Sequence, residues 1–203
     1  NGAFHGVGKG GRSEHVLAPE ELRVGILISP IFASRVHLLQ CLREAPASAR
    51  RYYAPSLSRE AVSLVAQQPA PLKAAMRLVQ WWASQQPWTS AKVVPPAFLL
   101  ELLVIYASHL CSATDQEGVA CLVHRTLDLC ANLVDLKVMW EGTSVAAYSI
   151  AEVWPPDLLS EVPLVLDPTN PCANVADPAA FDSSELSARA AQGCLQGSGS
   201  SIS

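Results

Sequence analysis

The feature that most limits how this chain can fold is the run Pro96-Ala97-Phe98-Leu99-Leu100-Glu101-Leu102-Leu103-Val104-Ile105-Tyr106-Ala107. Wound as a helix it is apolar on almost every side. A helix with one apolar stripe can lie on a surface, whereas one that is apolar all round must be enclosed by other elements. The spacing therefore predicts a central core helix from Pro96 to about Leu110. Glu101, His109 and the Pro95-Pro96 pair interrupt the run before it reaches the ~18 to 20 apolar residues that a membrane span requires, so no membrane partner is expected. The chain has 203 residues, half of them apolar, which suffices for one compact domain with its own core.

Two further helices can supply the enclosure. Leu72, Ala75, Met76, Val79, Trp82 and Ala83 follow the i, i+3, i+4, i+7 rule, with Pro71 suited to the first turn and Pro87 as the stop. Adjacent helix positions point in different directions, so of Trp81 and Trp82 one is expected in the core and the other in solvent. Thr114 and Glu117 stand at capping-box spacing before Leu122, Val123, Leu127, Cys130 and Leu133, which share one side of a third helix.

The flanks read differently. Leu22, Val24, Ile26 and Ile28 alternate with Arg23, Gly25, Leu27 and Ser29, the period of a strand that ends at Pro30. A short helix over Ala33 to Glu44 follows, then a polar linker through Arg50 and Arg51. Beyond the core helices, Leu136, Val138 and Trp140 suggest a short strand, Ser144 to Val153 a helix stopped by Pro155-Pro156, and Val162 to Leu166 an extended segment. The residues after Asp182 turn rich in Ser, Ala and Gly, and 182–203 is read as a disordered tail. The expected class is α+β, mainly helical, with residues 1–57 as a sheet-bearing remnant and linker and 58–181 as a helical domain. The Gly-rich, basic start and the absence of an initiator Met point to a fragment or an internal segment without a signal peptide.

Six cysteines lie scattered in apolar surroundings, in a chain larger than the scaffolds that depend on disulfides. They are expected to be reduced, in the cytoplasm or the nucleus. The formal net charge of -4 conceals an asymmetry: residues 1–92 carry eleven Lys/Arg against five Asp/Glu, and 151–203 carry one against seven. Only the basic half is suited to a polyanion. His109, Cys111, Cys121 and His124 are four soft ligands within sixteen residues, but the paired spacing of a closed zinc site is missing, and core cysteines account for them more simply. No Gly-x-Ser-x-Gly element supports hydrolase chemistry.

Three ordered segments carry a family resemblance. Leu72-Lys73-Ala74-Ala75-Met76-Arg77-Leu78-Val79-Gln80-Trp81-Trp82, the Pro95 to Ala107 segment, and Val165-Leu166-Asp167-Pro168-Thr169-Asn170-Pro171 resemble, in order and approximate spacing, the C-terminal helical half of the 2'-5'-oligoadenylate synthases. The resemblance implies the helical lobe of a polymerase-β-like nucleotidyltransferase. Intact relatives are activated by double-stranded RNA in innate immunity and use ATP with two Mg²⁺ ions held by three Asp, which stabilise the attacking hydroxyl and the leaving pyrophosphate.

Carried over residue by residue, that implied site is incomplete. The only Gly-rich candidate for the first element, Gly6 to Val16, has one acid where two are needed. The third carboxylate falls at Gly25 or Leu27, neither a metal ligand. No catalytic residue is therefore assigned, no metal ligand is assigned, and no cofactor is expected in this chain. Of the nucleotide-binding positions the Arg is retained as Arg77, but the Lys position is Gln80 and the Gln position is Ala97. The RNA-facing positions read Val62, Ala66 and Ala70, which leaves Arg50, Arg51 and Lys73 as weak candidates for double-stranded RNA or other nucleic acid. Three readings stay open: a divergent, inactive member acting as a binding or scaffolding module; the C-terminal part of a longer active enzyme; and a helical protein-interaction domain whose partner is another protein.

Overall fold

A computed structural model describes residues 30–110, 118–141 and 143–198 of the chain. The expected strand at Leu22 to Ser29, the Gly-rich segment at Gly6 to Val16, and Thr114, Glu117 and Cys111 lie outside these residues. The core helix forms over Ala97–Leu110, here α5, when the helices are numbered in chain order: α1 Arg35–Glu44, α2 Ala47–Tyr53, α3 Ser58–Ala66, α4 Ala70–Ser84, α5, α6 Val119–Ala131 and α7 Ser184–Ser198. Leu99, Leu102 and Leu103 on α5 are fully buried. Ala75, Met76, Val79 and Ala83 of α4 and Leu122, Thr126 and Cys130 of α6 turn inward around them. As expected of the tryptophan pair, Trp82 packs against the core and Trp81 is 62% exposed.

A small sheet closes another side of the core. Strands β1 (Lys137–Val138), β2 (Leu164–Asp167) and β3 (Asn170–Asn174) lie in the order β1-β2-β3, the first pair parallel and the second antiparallel. Trp140, just past β1, is anchored twice. Its indole N–H donates to the Leu166 carbonyl at 2.6 Å, and its ring meets Tyr106 of α5 edge to face at 5.9 Å. The Asp167-Pro168-Thr169-Asn170 turn is held by its own polar groups. Asp167 Oδ1 accepts from the Thr169 backbone N–H and hydroxyl, both at 2.7 Å, and the Tyr148 hydroxyl donates to the Asp167 carbonyl at 2.6 Å. Burial pushes the Asp167 carboxyl above its usual range, against the lowering effect of the Thr169 bonds.

Four sequence expectations are corrected. The linker through Arg50 and Arg51 contains helix α2, because Arg50 Nε donates at 3.2 Å to both the Leu42 and Ala45 carbonyls and so folds the chain back on the end of α1. No α-helix forms between Ser144 and Val153. There the Ala147 and Trp154 backbone N–H groups donate to the Pro168 and Pro171 carbonyls, leaving only a 3₁₀ turn at Ile150–Glu152 with a Ser149/Glu152 capping box. Helix α6 begins after Gly118, with no side-chain cap. Residues 184–198 of the expected disordered tail form α7.

The Ala188-Arg189-Ala190-Ala191 run favours that helix. Asp182 starts it by accepting from the Ser184 N–H and hydroxyl, while Leu186 and Ala190, one turn apart, are buried. Ser187 donates to the Cys130 carbonyl at 3.0 Å, tying α7 to α6. Glu185 accepts from Thr89 and Arg189, and Arg189 also reaches the Pro87 carbonyl, fastening α7 to the segment after α4.

Truncating the fully buried Leu103 to Ala should cost about 2 to 5 kcal/mol in urea unfolding. At Asp167 the sign is different. A carboxyl whose folded value is raised loses stability as pH climbs from the ordinary carboxylate value through the raised one. Asp167→Asn keeps the acceptor oxygen, so the variant should lack that decline in an unfolding series from pH 3 to 7, whereas Asp167→Ala should be less stable throughout.

Candidate functional site

Arg77 and Gln80 stand one turn apart on α4, and Ala97 opens α5. The structure connects these positions through a residue not assigned from sequence, Glu101. Gln80 Nε2 donates to Glu101 Oε1 at 2.9 Å, and Glu101 lies one turn along α5 from Ala97, on the same face. The signal was visible as the single charge within the apolar run. Its meaning depended on knowing which helix faces it.

Val62 and Ala66 of α3, positions that the resemblance assigns to RNA, face Ala97, Phe98 and Glu101 of α5 across an open groove of ≈ 520 Å³. Val62 is 68% exposed at its edge. Ala97, one of the positions that the resemblance assigns to nucleotide, thus lies across from Val62 and Ala66, and the surface they share is mostly hydrocarbon. Ala70 is exposed at the start of α4, outside the groove.

The cations divide into two groups. Arg50 Nε is engaged by the Leu42 and Ala45 carbonyls at the end of α1. Arg77 is exposed and Lys73 half-buried, and neither side chain forms an ion pair or hydrogen bond among the described residues. They are four residues apart, so they lie on one stripe of α4; Gln80 follows Arg77 on the side toward Glu101. The side chain of Arg51 lies outside the described set.

The positions that the resemblance assigns to the magnesium ligands, within Gly6 to Val16 and at Gly25 or Leu27, lie outside the described residues. Among the described residues no group of three or more His, Cys, Asp or Glu could hold a metal ion. Of the soft ligands noted in the sequence, Cys121 is half-buried on α6, and His124 Nδ1 lies 3.1 Å from Asp128 Oδ2 on an exposed face. Cys130 is buried beneath α7, and desolvation pushes its thiol up to about 12, which keeps it protonated and inert. No helix among the described residues is long and apolar enough to cross a membrane.

Arg50→Ala should lower stability by about 1 to 3 kcal/mol, the usual worth of hydrogen bonds from a charged donor, as read by urea unfolding. Retention of wild-type stability would show that this contact is dispensable.

Residues 35–201 match the family described as 2'-5'-oligoadenylate synthetase 1, domain 2, C-terminus. The chain is 29% identical over 152 residues to 2'-5'-oligoadenylate synthase-like protein 1 of Rattus norvegicus, covering 71% of this chain and 28% of that protein. It is 28% identical over 116 residues to 2'-5'-oligoadenylate synthase 1A of the same species, covering 54% of the chain and 31% of the relative. The 1A synthase of Mus musculus is also 28% identical, over 111 residues, with 54% and 30% covered. The chain therefore spans about a third or less of these relatives' lengths. On the family match over residues 35–201, the chain belongs to the 2'-5'-oligoadenylate synthetase family, in its C-terminal domain.

Proposed function

We propose that this chain is a non-catalytic member of the family, a helical module of the cytoplasm or nucleus that binds or scaffolds another macromolecule. The observation that carries this reading is the closure of Gln80 onto Glu101 beside the methyl group of Ala97. A Lys at the first position would present a cation to a triphosphate, and a Gln at the second would present an amide to a nucleotide. Here the first side chain is spent on a neighbouring carboxylate, and the second has no polar atom.

Arg77 alone is a weak substitute. An exposed ion pair contributes about 0 to 1 kcal/mol, far from the ~8 kcal/mol of a micromolar complex. Duplex RNA is a similarly weak partner, since Val62 and Ala66 offer no charge and Arg50 is engaged. Two relatives are named as oligoadenylate synthases, so a second reading is that this chain is the helical part of a longer active nucleotidyltransferase; its coverage of only 28–31% of the relatives favours it. That reading requires a Gly-Ser and an Asp-x-Asp strand to be encoded before Asn1, and a third carboxylate at a position other than Gly25 or Leu27.

Incubation of the purified chain with ATP, Mg²⁺ and duplex RNA should give no 2'-5'-linked product; formation of that product would end the non-catalytic reading. Filter binding to duplex RNA should be weak, with a shallow salt dependence. A steep fall in affinity with salt would reveal phosphate contacts that the groove residues do not supply.

A further inference from the structure

A separate cavity, of ≈ 190 Å³, lies between the 140–150 segment and Leu166 of β2. Leu166 and Trp140, 1% and 3% exposed, form its inner wall, and the exposed Glu141 stands at its mouth. It is smaller than the roughly 300 to 1,000 Å³ of sites that hold a drug-sized ligand, so it suits a small head group rather than a nucleotide.

The hydrogen bonds of the lining decide the sign of that group. Four side chains there carry a donor, and each donor is already committed within the protein. The Trp140 indole N–H goes to the Leu166 carbonyl at 2.6 Å, Thr143 Oγ1 to the Trp140 carbonyl at 2.7 Å, the Tyr148 hydroxyl to the Asp167 carbonyl at 2.6 Å, and Ser149 Oγ to Glu152 Oε2 at 3.1 Å. What these groups leave for a ligand is oxygen lone pairs and aromatic rings. Burial raises the Tyr148 phenol above its usual range and keeps it neutral. Glu141 is then the one charged side chain of the lining, and it has no hydrogen bond or ion pair among the described residues. Arg35 and Arg43 are bound to the Thr169 and Glu152 carbonyls at 2.8 and 2.7 Å and do not line the cavity.

Such a lining repels an anion and accepts a cation. Aromatic rings attract a cation through their quadrupole, and a carboxylate adds to that attraction. Ala146, Ile150 and Leu166 supply hydrocarbon for methyl groups on the cation, whereas an unmethylated ammonium is strongly hydrated and gives up that water at a cost. We infer that this cavity is a binding site for a trimethylammonium group, the head of a choline-type molecule, with its methyls against Trp140, Tyr148 and Ile150 and its charge beside Glu141. The site shares no residue with Arg77, Gln80, Ala97 or Glu101, so it stands whether or not the chain is catalytic.

Titrations of the full chain, followed by the NMR signal of the ligand's methyl protons, test the site with four probes: choline, a peptide bearing trimethyl-lysine, the uncharged carbon analogue dimethylbutanol, and butylammonium. Choline should bind saturably at millimolar concentration or below, with its methyl signal moved upfield by the rings. It should bind about threefold or more tightly than dimethylbutanol and butylammonium. Glu141→Gln, at an exposed position, should weaken choline about threefold. Ala146→Leu, which fills the cavity with hydrocarbon, should abolish binding, and urea unfolding should show both variants folded. Choline and the trimethyl-lysine peptide should compete, and their relative affinity tells a free molecule from a modified protein side chain. Absence of saturable choline binding, equal binding of dimethylbutanol, tighter binding of butylammonium, or choline binding unchanged in Glu141→Gln or in Ala146→Leu would overturn the assignment. None of these outcomes depends on the assay for 2'-5'-linked product, so either reading can fail without the other.

Discussion

Seven of the fourteen residues of α5 are buried, and the positions of the other elements follow from the need to enclose them. Each buried leucine, valine or isoleucine contributes about 1.5 to 3 kcal/mol relative to exposure, so the six large side chains together outweigh the surface contacts severalfold. α4 and α6 cover two sides of α5, and the short sheet, fastened through Trp140, covers another. Because α4 is fixed by Ala75, Met76, Val79 and Ala83 on its inner face, the directions of Lys73, Arg77, Gln80 and Trp81 on its outer face are fixed as well. The outer face of α4 is thus a consequence of core packing.

The same constraint accounts for a fold that persists while its site changes. None of the buried residues on α4 and α5 is one of the positions that the resemblance assigns to nucleotide, so the enclosure does not depend on whether those positions hold a cation and an amide or, as here, Gln80 and Ala97. Glu101 lies at the junction of the two concerns. It breaks the apolar run of α5, and Gln80 supplies a hydrogen bond that makes its position tolerable without a buried ion pair. A binding module can be kept on such a framework with little cost in stability.

Periodicity made the helical core legible in the sequence. The inner face of α4, the all-round burial of α5 and the separation of Trp81 from Trp82 follow from spacing alone, and the extended segment expected at Val162 to Leu166 overlaps the strand at Leu164–Asp167. Features that depend on contacts between distant residues did not show. Ala147 and Trp154 give their backbone donors to the 168–171 turn, and nothing within Ser144 to Val153 signals that loss of helix. Arg50 reads as a surface cation until the α1 carbonyls are placed beside it. The Ser- and Ala-rich composition after Asp182 resembles a disordered tail, yet Leu186 and Ala190 find a surface on the core, and Ser187 and Glu185 find partners 57 and 96 residues away. At the site, Arg77, Gln80 and Ala97 were recognisable by position, while the joining of Gln80 to Glu101 and the apolar groove beside them required the packing of α3 and α4 on α5.

With Gln80 held by Glu101 and no polar atom at Ala97, the proposed module should have no hold on nucleotide, which calorimetric titration of the chain with Mg²⁺-ATP can read. No saturable heat is expected below millimolar nucleotide, with Arg77→Ala indistinguishable from the parent. Saturable binding at micromolar concentration that disappears in Arg77→Ala would contradict it.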